Sequence, residues 1–160
     1  MAWRPMAPAD LAGVEAIGHL IHVAYPEDGA VFVERLALFP EGCLVLEDDH
    51  ALVGYVLSHP WRHRAPPALN ARLGRLPADA DCLYIHDLAV LPDARGRGAA
   101  GEILRRLAQL AATMRLPAMA LISIAGTSRF WERQGFIVVD APELSAKLAS
   151  YDADARLMRR

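Results

Sequence analysis

Apolar side chains near the start of the chain recur at helical spacing. Leu11, Val14, Ile17, Leu20 and Ile21 fall three or four residues apart, which predicts a helix over Pro8–Ala24. Asp10 lies in its first turn, where a carboxylate suits the helix dipole. Tyr25-Pro-Glu-Asp-Gly29 breaks that pattern, and a shorter helix is expected over Ala30–Phe39. Gly42–Glu47 and Leu52–Ser58 read as strands, joined through Asp48-Asp49-His50 into a hairpin. From Pro60 to Ala80 neither period holds and prolines recur, so a long loop is expected. Long loops in compact domains are functional lids or mobile surface, and these residues fit either.

Cys82–Leu91 then predicts a strand, and Gly98–Met114 an amphipathic helix with Ile103, Leu104, Leu107, Leu110, Ala111 and Met114 on one stripe. Ala118–Ile124 is a continuous apolar run, as in a strand buried on both faces. Thr127–Gln134 reads as a short helix stopped by Gly135. Phe136–Val139 and Ala155–Met158 complete the strands, with a short helix between them. A strand, two helices, a hairpin and then alternating strands and helices describe a mixed α/β sheet with helices on its faces.

Length and charge narrow the classes. The 160 residues suit one domain, 1–160, and 54% hydrophobic with 22% charged residues is an ordinary globular composition. A net charge of −2 gives no global field to gather nucleic acid, so any anion site must be local. Arg95, Arg97, Arg105 and Arg106 supply such a cluster. Cys43 and Cys82 are too few for a disulfide framework and lack metal-ligand spacing, so reduced thiols in strands are expected. No basic start followed by an apolar run marks a signal peptide, and no stretch approaches the ~18 apolar residues of a membrane span. A cytoplasmic protein without metal, membrane or nucleic-acid partner is the expectation.

The run from Asp87 to Leu104 carries the most chemistry. An apolar strand ends at Pro92, an arginine- and glycine-rich turn follows, and the turn feeds an amphipathic helix. Amides at a helix start are unpaired donors at the electropositive end of the dipole, and glycines let an anion approach them. Gly96-Arg-Gly-Ala-Ala-Gly101 matches the dinucleotide pattern G-x-G-x-x-G. That pattern requires a strand running directly into the first glycine and an acidic residue ~20 positions on. Here Pro92-Asp-Ala-Arg95 intervenes and the region of Leu121 is apolar, so the dinucleotide reading fails.

Framed one residue earlier, Arg95-Gly-Arg-Gly-Ala-Ala100 fits [Q/R]-x-x-G-x-[G/A], preceded by Leu88-Ala-Val-Leu-Pro92. Downstream, Arg129-Phe-Trp-Glu-Arg-Gln-Gly-Phe136 is similar to an F-Y-x-x-x-G-F segment. Together these resemble the acyl-CoA binding core of the GCN5-related N-acetyltransferase (GNAT) superfamily, and the element order agrees over nearly the whole chain. The resemblance implies a mixed, mostly antiparallel sheet with helices on both faces and a splayed parallel strand pair. It implies acetyl-CoA as co-substrate, held by Leu88, Ala89 and Val90, by the turn Arg95, Gly96, Arg97, Gly98, Ala99, Ala100 and Gly101, and by Ser128, Trp131 and Arg133. It further implies direct attack of a primary amine on the thioester, with a backbone amide near Leu88 polarising the carbonyl. A small-molecule or peptide amine is the implied acceptor, and such domains often form homodimers.

The base is expected on the strand before the turn. Regular alternation puts Tyr84, His86, Leu88 and Val90 on one face, and Asp87 opposite unless a bulge intervenes. His86 is the first candidate, since an imidazole accepts protons near neutrality; the alternative is a core histidine bonded to backbone. Tyr84, acting through water, is the fallback. Trp131 stands where the family often has a tyrosine able to protonate the departing thiolate. The thiolate then leaves unassisted, or Ser128 or Tyr84 supplies the proton, or Trp131 only packs against the cofactor. Ile124 likewise replaces a common asparagine. A non-catalytic acyl-CoA sensor is the rival reading. For the acceptor, Glu27 and Asp28 read equally as a draw for a cationic amine or as ordinary loop carboxylates, whereas Arg62, His63 and Arg64 favour an anionic group, so the substrate stays open.

Overall fold

The computed structural model describes residues 1–160. The chain forms β1 (Ala2–Pro5), α1 (Leu11–Ile21), α2 (Gly29–Leu38), β2 (Cys43–Asp48), β3 (Ala51–Trp61), β4 (Cys82–Val90) and α3 (Ala99–Thr113). It continues with β5 (Met119–Ser123), α4 (Ser128–Arg133), β6 (Ile137–Val138), α5 (Ser145–Tyr151) and β7 (Arg156–Arg159). One seven-stranded sheet has the order β1-β2-β3-β4-β5-β7-β6. Every pair is antiparallel except β4 with β5.

Alternation along β2 and β3 splits the core into two layers. Leu46 and Val56 face α3, where they pack with Ile103, Leu104, Leu107 and Phe136. Val45, Tyr55 and Leu57 face the other way, against Val14 and Ile17 of α1 and Phe32 and Leu36 of α2. The α3 stripe expected from the sequence accounts for the first layer.

Some boundaries move. Helix α1 stops at Ile21 rather than Ala24, because His22 leaves the helix (φ −109°, ψ 51°) and turns its ring to Asp87 of β4. Strand β3 runs on through Pro60 to Trp61, into the segment expected to be loop. A proline is tolerated there because β2 last pairs opposite Leu57, which leaves no strand for the N–H that Pro60 lacks.

The register of β3 against β4 holds one irregularity. Leu57 pairs with Asp87 and the next residue, Ser58, pairs with Ile85, which leaves His86 unmatched as a bulge. A bulge reverses the facing of everything beyond it. Leu83 and Ile85 before it pack in the α3 layer, and so do Leu88 and Val90 after it. Tyr84 instead shares a face with His59, their rings 5.6 Å apart, while Ala89 packs in the α1/α2 layer. The expected single face of Tyr84, His86, Leu88 and Val90 therefore does not exist. Tyr84 and Asp87 lie on one side of the sheet, Leu88 and Val90 on the other.

Beneath Tyr84, the His59 ring is buried, with Nδ1 3.0 Å from the Pro60 carbonyl oxygen and Nε2 without a partner. Burial pushes its pKa down to about 3. The folded protein keeps this ring neutral where the unfolded chain's ring is protonated. Its contribution is intact above about pH 6.5 and is lost progressively as pH falls toward 3. From pH 7.5 to pH 5, urea unfolding should lose about 2 kcal/mol more in the native sequence than in His59→Phe. Equal losses would contradict a neutral buried ring.

Candidate active site

Strands β4 and β5 pair only at Leu83 with Met119 and Tyr84 with Ala120, then part. Beyond that point β5 is held by β7 through Ser123. On β4 the Leu91 amide donates to the Val53 carbonyl at 2.8 Å, so by alternation the backbone groups of Leu88 and Val90 face the gap. Ala89 turns its backbone to β3 and its side chain into the core, so it offers the gap nothing.

The gap opens into a cleft of about 100 Å³. Ile85, His86, Asp87 and Leu88 of β4 form one wall, and Leu121 and Ile122 of β5 the other. His22, Tyr25 and Glu27 reach it from the α1–α2 link, Leu69 from the long loop, Trp131 from α4 and Tyr151 from α5.

At the far end of β4 a single turn, Pro92–Ala94, leads into the glycines. Gly96 (φ 74°) and Gly98 (φ 84°) are left-handed, a conformation that disfavours any side chain. Gly98 caps α3 without a side-chain hydrogen bond, and the first intrahelical bond runs from the Glu102 amide to the Gly98 carbonyl at 3.0 Å. None of the amides from Gly96 to Gly101 donates within the chain, so Arg97, Ala99 and Ala100 also present free N–H groups. The Trp3 indole, donating to the Ala99 carbonyl at 2.9 Å, ties this helix start to β1. The Arg95 Nε donates to the Val90 carbonyl at 2.8 Å, and Arg97 pairs with Asp48 at 2.7 Å.

Two imidazole–carboxylate pairs stand in the cleft. His86 Nε2 is 2.7 Å from Glu27 Oε1, with the two side chains only 5% and 8% exposed. The Asn70 amide donates to the other Glu27 oxygen at 2.9 Å. Burial alone would raise the Glu27 pKa, but His86 and the Asn70 amide outweigh it and hold it below the usual carboxylate value. Asp87 accepts from the Tyr55 hydroxyl at 2.5 Å, and His22 Nε2 lies 2.7 Å from its other oxygen. Burial lowers the His22 pKa, yet the close contact with Asp87, backed by the charges of Asp87 and Glu27, outweighs it and leaves it raised.

Burial keeps the Tyr84 phenol well above its ordinary pKa and pushes Tyr151 up to about 12, so both hold their protons at neutrality. Trp131 packs edge-on against Phe130 (4.9 Å) and Phe136 (5.4 Å) while reaching the cleft. Ser128 faces Ser123 at 3.3 Å and does not line the cleft, and Arg133 is exposed on α4. The basic trio of the loop points elsewhere: Arg62 pairs with Asp79, His63 with Asp81 and Arg64 with Glu143. Burial pushes the thiols of Cys43 and Cys82 up to about 12.

The profile of the Acetyltransferase (GNAT) family matches residues 14–136, more than half of the chain, and the protein belongs to that family. Among solved structures it is similar to the loading GNATL domain of CurA from Lyngbya majuscula, with a TM-score of 0.81 at 14% identity over 99% of this chain and 96% of that one. Ard1 from Thermoplasma volcanium gives 0.74 at 16% identity, covering 99% and 95%. Naa50 from Arabidopsis thaliana, solved with the bisubstrate analogue CoA-Ac-MVNAL, gives 0.73 at 12% identity, covering 99% and 97%. These likenesses establish the shared fold. No curated protein gives a significant match.

Tyr55→Phe would leave Asp87 without its hydroxyl donor in a largely buried place. Urea unfolding should show a loss of about 1–3 kcal/mol, and an unchanged midpoint would contradict the Tyr55–Asp87 bond.

Proposed function

We propose that the protein transfers an acetyl group from acetyl-CoA to a primary amine by direct attack within a ternary complex. The observation that carries this reading is a central strand whose open edge runs straight into a turn of free amides. A pantetheine arm is an amide chain that can pair with the Leu88 and Val90 backbone in place of a strand. A pyrophosphate suits the amides from Gly96 to Gly101 and the positive end of α3. Arg95 and Arg97 are held only by exposed contacts and can swing to add charge-assisted bonds.

In this reading the Leu88 amide polarises the thioester carbonyl. His86 takes the ammonium proton, with Glu27 fixing the ring and stabilising the imidazolium that results. The freed amine attacks the carbonyl carbon, the C–S bond breaks and CoA leaves as thiolate. Of the two expected proton donors Tyr84 lines the cleft and Ser128 does not, so Tyr84 is the one placed to hand its proton to the thiolate while recovering the proton that the amine nitrogen sheds as the amide forms. Trp131 then packs at the cofactor without titrating. That same tryptophan favours the rival reading, an acyl-CoA-binding domain without turnover.

Calorimetry should give one-site binding of acetyl-CoA and none of NAD, and thiol release should follow addition of an amine. His86→Gln should lower kcat about 10²–10⁴-fold with little change in acetyl-CoA affinity. Binding without thiol release across a panel of amines supports the sensor. Absence of acetyl-CoA binding overturns both readings, and full activity of His86→Gln at all pH values overturns the base.

A further inference from the structure

We infer that the acceptor is a compact primary amine carrying no anionic group, and that the loop 62–81 is the wall that sets this limit. The inference rests on the transfer reading above and concerns the end of the cleft beyond the β4 edge.

The wall is fastened on both sides. Toward α2, the Leu73 and Gly74 amides donate to Glu34 at 2.6 and 3.1 Å, and Arg35 donates to the Ala71 carbonyl at 3.0 Å. Asn70, held left-handed at φ 60°, accepts from the Asp28 amide at 2.8 Å and donates its own amide to Glu27. Toward α5, Lys147 donates to the Pro66 carbonyl at 2.9 Å and Tyr151 to the Pro67 carbonyl at 2.6 Å. These ties put Leu69 against the cleft. A second strap, Tyr25 to Asp152 at 2.6 Å, joins the α1–α2 link to the turn after α5.

Room and charge then select the ligand. The cleft is small, about 100 Å³, and it must also take part of the thioester. On this inference the space behind the wall suits a short amine rather than an extended peptide terminus. No lysine or arginine lines the cleft, and its two imidazoles each face their own carboxylate. The nearby Arg35 is fully buried and does not line the cleft, its terminal nitrogens bonded to Glu34 and Ala71 and its Nε without a partner. A carboxylate or phosphate on the acceptor would meet Glu27 and Asp87 with no free cation to offset them. An ammonium group is instead favoured by the Glu27 and Asp87 carboxylates that line the cleft.

The test uses CoA conjugates of the form CoA-S-CH₂-CO-NH-R, titrated by calorimetry so that affinity is read without turnover. With R of one to three carbons they should bind at least as tightly as CoA. Longer R, a tetrapeptide, or R ending in a carboxylate should weaken binding about tenfold or more. Leu69→Ala should recover the loss for long uncharged R and leave the carboxylate penalty in place. Turnover should agree, with propylamine preferred over β-alanine. If CoA binds but the tetrapeptide conjugate matches the shortest one, the wall is wrong and the transfer reading stands. If the carboxylate carries no penalty, the charge argument is wrong. If CoA itself fails to bind, the transfer reading falls and this inference with it.

Discussion

The unmatched residue at His86 and the parting of β4 from β5 just before it create one constraint on which the functional half of the molecule depends. A central strand normally spends both edges on neighbours, because buried N–H and C=O groups left unpaired are costly. Here β4 is paired along one edge by β3 through Val90 but is released by β5 after Tyr84. The free edge is affordable only where water or a ligand can reach it, and it leads to a helix start whose amides are also free. The bulge adds the second ingredient: it brings His86 and Asp87 to the α1/α2 side, where carboxylate, imidazole and phenol groups gather.

That gathering explains how so many polar groups persist in a nearly buried place. Glu27 is stabilised by His86 and the Asn70 amide, and Asp87 by Tyr55 and His22. Each charge has an immediate partner, which is the condition under which buried ions are tolerated. Glu27 bonds both to His86 and to the Asn70 amide of the loop, so the proposed base and the loop are tied through one carboxylate. Glu34 and Arg35 play the matching structural part behind the wall.

Much of the fold was legible because its signals are local. The α3 stripe, the Asp48-Asp49-His50 hairpin and the Gly135 stop each follow from spacing or from one residue's backbone preference. The left-handed glycine turn before α3 was legible for the same reason. The bulge was not, since neither glycine nor proline marks it and it is decided by register against β3. The pairs that build the cleft were hidden too: Glu27 and His86 lie 59 residues apart, and nothing local couples His22 to Asp87. The loop was readable as irregular, but its fastening uses backbone carbonyls at Pro66, Pro67 and Ala71, which any sequence supplies. Ala89 and Ser128 are the opposite case: motif position placed them at the site, while in the fold Ala89 faces the α1/α2 layer and Ser128 faces Ser123.

The central claim is that the open β4 edge and the glycine turn form one continuous acyl-CoA site. Residue-resolved amide hydrogen exchange, with and without saturating CoA, tests it most directly. The account predicts new protection at Leu88, Val90 and the amides from Gly96 to Gly101, in a single concerted response. Protection confined to other elements, with those amides exchanging as they do in the free protein, would contradict it.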